Sequence, residues 1–335
     1  MNPKVILEKA ISLNSLSTDE SRFFLESVMK GEVSEILFSS FLTAMKIKGV
    51  NAKELTGFAS ALRSTCVQTK GEKPKQILDT CGTGGDGLGT MNISTLSALT
   101  LASLGVSVAK HGNRAVSSIS GSSDLLSQLG YPLDLTHEET EKRLLKTNFT
   151  FAFAPAWHPS MKFAAPVRKE LGFRTFMNLV GPLSNPFFPT HQVIGVYDGN
   201  LISIVAQTLQ NLGIERGIVC HSMDGMDEFS VFAKTQYVEI TTKERIEKVF
   251  DPASLGLPKV DLQEILISSP GDALVMAKKL ISGEPFTGTE IVALNAGVGL
   301  YLVGACQSIE EGYKTAKTGI LQKNLEKYFS KEFVF

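Results

Sequence analysis

The stretch DTCGTGGDGLGTMNIST, Asp79 to Thr95, sets five glycines within the eight positions Gly82 to Gly89. Glycine loses more backbone freedom on ordering than any other residue, so a turn this rich in it is costly and something must require it. QILDT before the glycines reads as a strand, and NISTLSALTLASLG after them as a helix start. A strand, a tight glycine turn and a helix commit the chain to a βα unit, in which free backbone N–H groups and the positive end of the helix dipole converge on one point. Such a point suits phosphate, because a phosphorylated ligand touches successive amides only where no Cβ intervenes; several of these glycines are expected at positive φ. The chain has no G-x-x-x-x-G-K-[ST], and no G-x-G-x-x-G with an acidic residue about twenty positions later, so the two commonest nucleotide loops do not fit. Thr90, Asn92, Ser94 and Thr95 add side-chain oxygens where an empty turn needs a single cap.

Upstream, the first seventy residues carry helix signals and almost nothing strand-like. Ser17 to Glu20 spells S-x-x-E ahead of RFFLESVMK and Gly31, which is a capping box, a helix and a glycine stop. Asn51 and Glu54 repeat the device. Between them, SEILFSSFLTAMKIKG places Ile36, Phe38, Phe41, Leu42 and Met45 on one broad face and ends at Gly49. From about Lys75, β-rich runs alternate with helical ones: SVAK leads into HGNR, FTFAFA into a helix after Pro159, HQVIGVYD into LISIVAQTLQNLG, and RGIVCH into DGMDE. The expected fold is therefore α/β, with a small all-helical N-terminal domain and a larger α/β domain whose mostly parallel central sheet is flanked by helices. The helical domain is assigned residues 1–70, joined by helices from about 160–185, and the α/β domain residues 75–335; GEKPK, Gly71 to Lys75, is the expected hinge. Ligands in such sheets collect at the carboxyl ends of strands.

Lys plus Arg total 33 against 34 Asp plus Glu, and no aromatic-basic stripe is present, so neither nucleic acid nor an anionic membrane is an expected partner. Any anionic ligand must be held locally. Cys66, Cys81, Cys220 and Cys306 form no CxxC pair, which argues against a zinc site or a disulfide framework and for a reducing cytoplasm. MNPKVILEKAISL lacks the apolar core and cleavage site of a secretory signal. IVALNAGVGLYLVGAC, Ile291 to Cys306, is shorter than the ~20 residues of a membrane span and contains Asn295, so it reads as a buried core helix.

A second anion cradle is expected in KHGNRAVSSISGSSD, Lys110 to Asp124, where Lys110, His111, Asn113 and Arg114 stand with Ser117, Ser118, Gly121, Ser122 and Ser123 at the end of a strand. His111 is a candidate base and equally a residue that orients the turn. In HSMDGMDEFS, Asp224, Asp227 and Glu228 follow the strand RGIVC. Adjacent carboxylates at a strand end suit Mg²⁺, which takes one or two protein oxygens and otherwise waters and substrate phosphates. PVRKELGFRTFMNLVGPLSNP sets Arg168 and Arg174 about two helical turns apart beside apolar residues, a pattern that suits a carboxylate substrate and equally a surface ion pair.

Together, GTGGD (82–86), NIST (92–95), KHGNRAVSS (110–118), VRKELGFRTFMNLVGPLSNP (167–186) and DGMDE (224–228) resemble the anthranilate phosphoribosyltransferase family, and the likeness runs from KIKGVNAKELTGFASALR to LNAGVGLYLVG. The resemblance implies transfer of phosphoribose from 5-phospho-α-D-ribose 1-diphosphate to the amine of anthranilate, with release of pyrophosphate. It implies that the donor is held by Gly82, Gly85, Asp86, Thr90, Asn92, Ile93, Ser94 and Thr95, by Lys110, His111, Gly112, Asn113, Arg114, Ala115, Val116, Ser117 and Ser118, and by Ser122. Anthranilate would meet Gly82, Asn113 and Arg168. Ser94, Asp227 and Glu228 would hold Mg²⁺, two ions in all, and the chain would form a homodimer through its helical domain. No acid or base is assigned, because an aromatic amine needs little deprotonation to attack a cationic ribose centre. The family writes H-G before the acidic turn where this chain has His221-Ser222, and a serine restricts a turn in which glycine is free. Two other readings share these loops. A pyrimidine nucleoside phosphorylase would carry KHSTGGVGD where this chain has DTCGTGGDG, and a non-catalytic relative would bind a phosphorylated ligand without turning it over.

Overall fold

The computed structural model describes residues 1–114 and 119–332. Four helices open the chain: α1 (Pro3–Ile11), α2 (Thr18–Met29), α3 (Glu35–Lys48) and α4 (Ala52–Thr65). Both capping boxes form, Ser17 with Glu20 and Asn51 with Glu54, because each needs only residues within one turn. Helix α3 buries Phe38, Phe41, Leu42 and Met45, whereas Ile36, assigned to the same face by its spacing, stands 82% exposed. The face that α3 buries is narrower than the stripe the sequence offers. The helical core is an aromatic ladder: Phe24 stacks on Phe41 at 3.7 Å, Phe41 meets Phe58 edge-on at 6.0 Å, and Phe176 stacks on Phe58 at 4.0 Å.

The rest of the chain builds one seven-stranded sheet from β1 (Leu78–Gly82), β2 (Val108–Gly112), β3 (Phe149–Phe153), β4 (His191–Gly195), β5 (Arg216–Ser222), β6 (Thr235–Thr241) and β7 (Arg245–Phe250), in the order β3-β2-β1-β4-β5-β6-β7. The first five strands are parallel; β6 and β7 add antiparallel at one edge. That hairpin was not read from the sequence, although TQYVEITTKERIEKVF carries the β-rich runs and the turn that make it. Side chains alternate along the central strands as a sheet covered on both faces requires. Leu78, Val193 and Ile218 enter one core with α5 (Ile93–Ser103) and the buried helix Thr287–Leu302. Cys81, Ile194 and Val219 enter the other, which runs on without a break into the helical bundle.

From β1 the chain crosses to β2 on one side of the sheet, while β4 lies on the other. The carboxyl ends of β1 and β4 therefore flank the switch point, the place where a crevice opens in such sheets. Gly82 and Gly195 are paired in register at those two ends. Among the described residues, no helix is long and apolar enough to cross a membrane.

Candidate active site

The glycine turn leaves β1 at the switch point. Gly84, Gly85, Gly87 and Gly89 take φ of +64°, +84°, +79° and +69°, the left-handed region that side chains resist, so the turn depends on them. It is fastened at both ends. Thr83 N–H donates to the Gly195 carbonyl at 2.9 Å, and Tyr197 N–H donates to Thr83 Oγ1 at 3.1 Å. Beyond the glycines, Ile267 N–H donates to the Gly89 carbonyl and Met91 N–H to the Ile265 carbonyl, both at 2.8 Å, while Thr90 bridges Leu266. The segment around Leu266 is a strap that no local signal announced.

Helix α5 then begins at Asn92, whose side chain makes no capping bond and instead donates Nδ2–H to the Ser120 carbonyl at 2.9 Å. The first-turn amides that a cap would occupy stay available, and Asn92 Oδ1 is buried without a partner among the described residues. Ile93 and Thr95 are buried, and the Ile93 N–H donates to the Met91 carbonyl at 2.7 Å.

Against this turn sits the acidic one. Asp86, Asp227 and Glu228 bring carboxylate oxygens within 4.8 Å of one another. Gly84 N–H donates to Asp227 Oδ2 at 2.9 Å, tying the two turns together. The approach is possible because β1 and β4 end in glycine: a Cβ on Gly82 would lie 2.3 Å from Asp227 Oδ2, and one on Gly195 would lie 1.3 Å from the Asp227 carbonyl oxygen. Burial, with Asp86 adding to it, raises the Asp227 pKa; burial, then Asp227 and Asp86, raises that of Glu228 well above the usual carboxylate range. Clustered, desolvated carboxylates call for a cation, and an all-oxygen donor set of this kind suits Mg²⁺. Ser94, Thr80 and Asn295 line the same cavity of ≈ 20 Å³ as Asp227 and Glu228.

Two residues shape the acidic turn without joining the cluster. Asp224 accepts from Met226 N–H at 3.3 Å and from the Ser230 hydroxyl at 2.5 Å. Asn295, from the buried helix, accepts from Phe229 N–H at 3.0 Å and donates to the Phe229 carbonyl at 2.8 Å, reading both backbone groups of the residue after Glu228. A lone amide in a buried, mostly apolar helix was the available signal for that pin. Ser222 causes no strain: it lies in β5 opposite Thr235, outside the left-handed region.

From the basic turn, Lys110 is 2% exposed and directs Nζ inward, to the Thr80 carbonyl and, at 3.3 Å, to Ser94 Oγ. Burial lowers its pKa, opposed first by Asp79 and then by the more distant Glu228 and Asp227. His111 donates its backbone N–H to Asp79 Oδ1 at 3.2 Å and stacks obliquely on His158, ring centroids 5.1 Å apart. Burial, with the nearby His158 and Lys110, lowers the His111 pKa to about 3, and its Nε2 is buried without a partner among the described residues. The Asn113 carbonyl accepts from Ser122 Oγ at 3.2 Å, close to Gly112 at the end of β2. Arg114 lies over the Phe153 ring at 5.9 Å. Ala115, Val116, Ser117 and Ser118 lie outside the described residues.

The two arginines read together from the sequence part company. Arg168, on the helix Ala165–Leu171, is half-buried, has its pKa lowered by that burial, and meets no carboxylate among the described residues. Arg174 instead donates Nη2–H to the Gly85 carbonyl and lies over the Tyr197 ring at 4.5 Å, so the glycine turn already engages it.

A family model described as "Glycosyl transferase family, a/b domain" matches residues 74–322, and one described as "Glycosyl transferase family, helical bundle domain" matches residues 4–66. Over 326 residues, 97% of this chain and 95% of the relative, the sequence is 41% identical to the anthranilate phosphoribosyltransferase of Shouchella clausii (strain KSM-K16). The chain belongs to the anthranilate phosphoribosyltransferase family. Among solved structures of anthranilate phosphoribosyltransferases, that from Thermus thermophilus superposes with a TM-score of 0.91 at 35% identity, over 98% of both chains. The Saccharomyces cerevisiae enzyme, solved in complex with PRPP and Mg, superposes with a TM-score of 0.88 at 25% identity, over 99% of this chain and 96% of that one.

Proposed function

We propose that the chain transfers the phosphoribosyl group of 5-phospho-α-D-ribose 1-diphosphate to the amine of anthranilate. The products are N-(5-phosphoribosyl)anthranilate and pyrophosphate, in the second step of tryptophan biosynthesis from chorismate. The observation that carries this reading is the three-carboxylate cluster seated on paired strand-end glycines beside a glycine turn and an uncapped helix start. One centre thus offers amides for a pyrophosphate and oxygens for its cation.

In this reading the amine nitrogen forms a bond to ribose C1 as the bond from C1 to the pyrophosphate oxygen breaks. The electron pair leaves with pyrophosphate, and the amine gives up a proton. Gly82, Gly85, Thr90, Asn92, Ile93, Ser94 and Thr95 hold the donor from one side, and the turn from Lys110 to Ser118, with Ser122, from the other. Preorganised amides stabilise the charge that develops on the leaving group. Ser94, Asp227 and Glu228, with Asp86 beside them, would hold Mg²⁺, two ions in all, and the metal would supply positive charge to neutralise the diphosphate. Lys110 Nζ stands 3.3 Å from Ser94 Oγ, at the edge of this donor site. Asn113 and Arg168 orient anthranilate, and the half-buried guanidinium of Arg168, which meets no carboxylate among the described residues, supports a carboxylate partner. A histidine whose pKa is lowered to about 3 is a weak proton acceptor, which supports leaving His111 without a base role.

We read the helical domain as residues 1–70, joined by the helices of about 160–185, against an α/β domain over 75–335; the stacking of Phe176 on Phe58 supports that grouping. The chain acts in the cytoplasm as a homodimer through the helical domain. Val5, Ile36 and Ile47, exposed on α1 and α3, support that interface.

The test mixes purified protein, Mg²⁺, the donor and anthranilate and follows loss of anthranilate fluorescence. Persisting fluorescence while nucleosides or other aromatic amines react would overturn the assignment.

A further inference from the structure

We propose that Arg174 is a positioning residue that latches the glycine turn in its donor-binding shape, an inference that rests on the transferase reading above. Its place in the fold is the first observation. Arg174 lies between Gly172, which ends the helix Ala165–Leu171, and Phe176, which stacks on Phe58 in the helical bundle. Its guanidinium reaches from there to the Gly85 carbonyl in the turn that follows β1. The side chain is exposed, so this contact does little for the core and spans two parts of the fold.

The geometry of a peptide says what the contact does. The bond between Gly85 and Asp86 is trans, so its carbonyl and its N–H point in opposite directions. Holding the Gly85 carbonyl toward Arg174 turns the Asp86 N–H away from it and fixes the backbone that carries the Asp86 carboxylate. Gly85 sits at φ +84°, where glycine has wide conformational freedom, so without an external hold that peptide is free to rotate. The second observation is Tyr197. Arg174 lies over its ring at 4.5 Å, and Tyr197 N–H donates to Thr83 Oγ1 at 3.1 Å, so one arginine is braced against the residue that fastens the start of the same turn. The planar fork suits both contacts at once, whereas the compact ammonium of a lysine serves the carbonyl and the ring less well together.

The test uses full-length wild type and the Arg174→Ala and Arg174→Lys variants. Amide hydrogen exchange over residues 83–90 is read on ligand-free protein. Donor binding is read by calorimetry with Mg²⁺ and no anthranilate, and KM is measured for each substrate. A lost charge-assisted hydrogen bond at an exposed site leads us to expect loop exchange and donor Kd both to rise about five- to ten-fold in Arg174→Ala. Arg174→Lys should fall between, with anthranilate KM within two-fold of wild type and the melting temperature unchanged. Unchanged exchange and donor affinity would overturn the latch, and so would a rise confined to anthranilate KM, which would make Arg174 a carboxylate partner. If wild type itself binds no donor, the transferase reading falls, while the exchange measurement still decides the latch.

Discussion

Alanine at Gly195 places the heaviest demand on the seat of the carboxylate cluster. The added Cβ would lie 1.3 Å from the Asp227 carbonyl oxygen and 2.4 Å from its carbonyl carbon. Both are backbone atoms, so no side-chain rotation relieves the clash. Non-bonded heavy atoms settle at roughly 3.5 Å, and the acidic turn must therefore retreat by roughly 2 Å. Asp227 and Glu228 move with it, away from Asp86 and from Gly84 N–H, which holds Asp227 at 2.9 Å. A misplacement of about 1 Å costs on the order of a hundred-fold in rate, so kcat/KM should fall by at least about that much. Overpacking costs about 1–3 kcal/mol, so the protein still folds and its melting temperature drops by roughly a few degrees. The assay follows anthranilate fluorescence at saturating donor across an Mg²⁺ titration, with a thermal melt in parallel. Gly199→Ala serves as the control, because the nearest atom its Cβ meets belongs to the His221 ring, at 3.2 Å. A Gly195→Ala protein with kcat/KM within about three-fold of wild type and the same Mg²⁺ midpoint would refute the reasoning, since the turn could not then rest on the strand ends.

Glu228→Gln should raise the Mg²⁺ concentration needed for half-maximal activity at least about ten-fold without lowering the melting temperature in chelator, because burial and two neighbouring carboxylates already disfavour its charge. A melting temperature that falls sharply would make Glu228 a structural group instead. The folded-state pKa values of His111 and His158 are depressed to about 3 and about 4 from the ordinary 6.5. The unfolded chain therefore takes up protons first: the stability these rings contribute is complete above about pH 6.5 and is lost as pH falls from there toward 4 and 3. Ring-proton NMR should show both imidazoles neutral at pH 5.5, and a His111 signal titrating near 6.5 would contradict the burial that depresses it. In the proposed dimer, Ile36→Arg with Ile47→Arg, at positions 82% and 75% exposed, should shift sedimentation from dimer to monomer and leave the melt of the monomer intact. A wild type that sediments as a monomer would refute the proposed dimer, and a dimer unchanged by both substitutions would refute this interface.

What the sequence determined by itself is what acts within a few residues. The capping boxes at Ser17 and Asn51, the glycine turn between β1 and α5, and the five parallel strands follow from hydrogen bonds, φ preferences and periodicities that close within one element. Motif resemblance then placed Asp227 and Glu228 together, a pair adjacent in the chain. Tertiary structure decided the partners that the chain brings from afar. Gly195 ends an unremarkable strand, and only the packing of the acidic turn across it shows why a side chain cannot stand there. Arg174 shares a segment with Arg168 yet serves the Gly85 carbonyl. Asn295, the one amide of the buried helix Thr287–Leu302, finds both backbone groups of Phe229. Ile36 kept its helical phase and lost its burial, because a helix's own periodicity says which residues share a stripe, while the neighbours it packs against set how wide a stripe is covered.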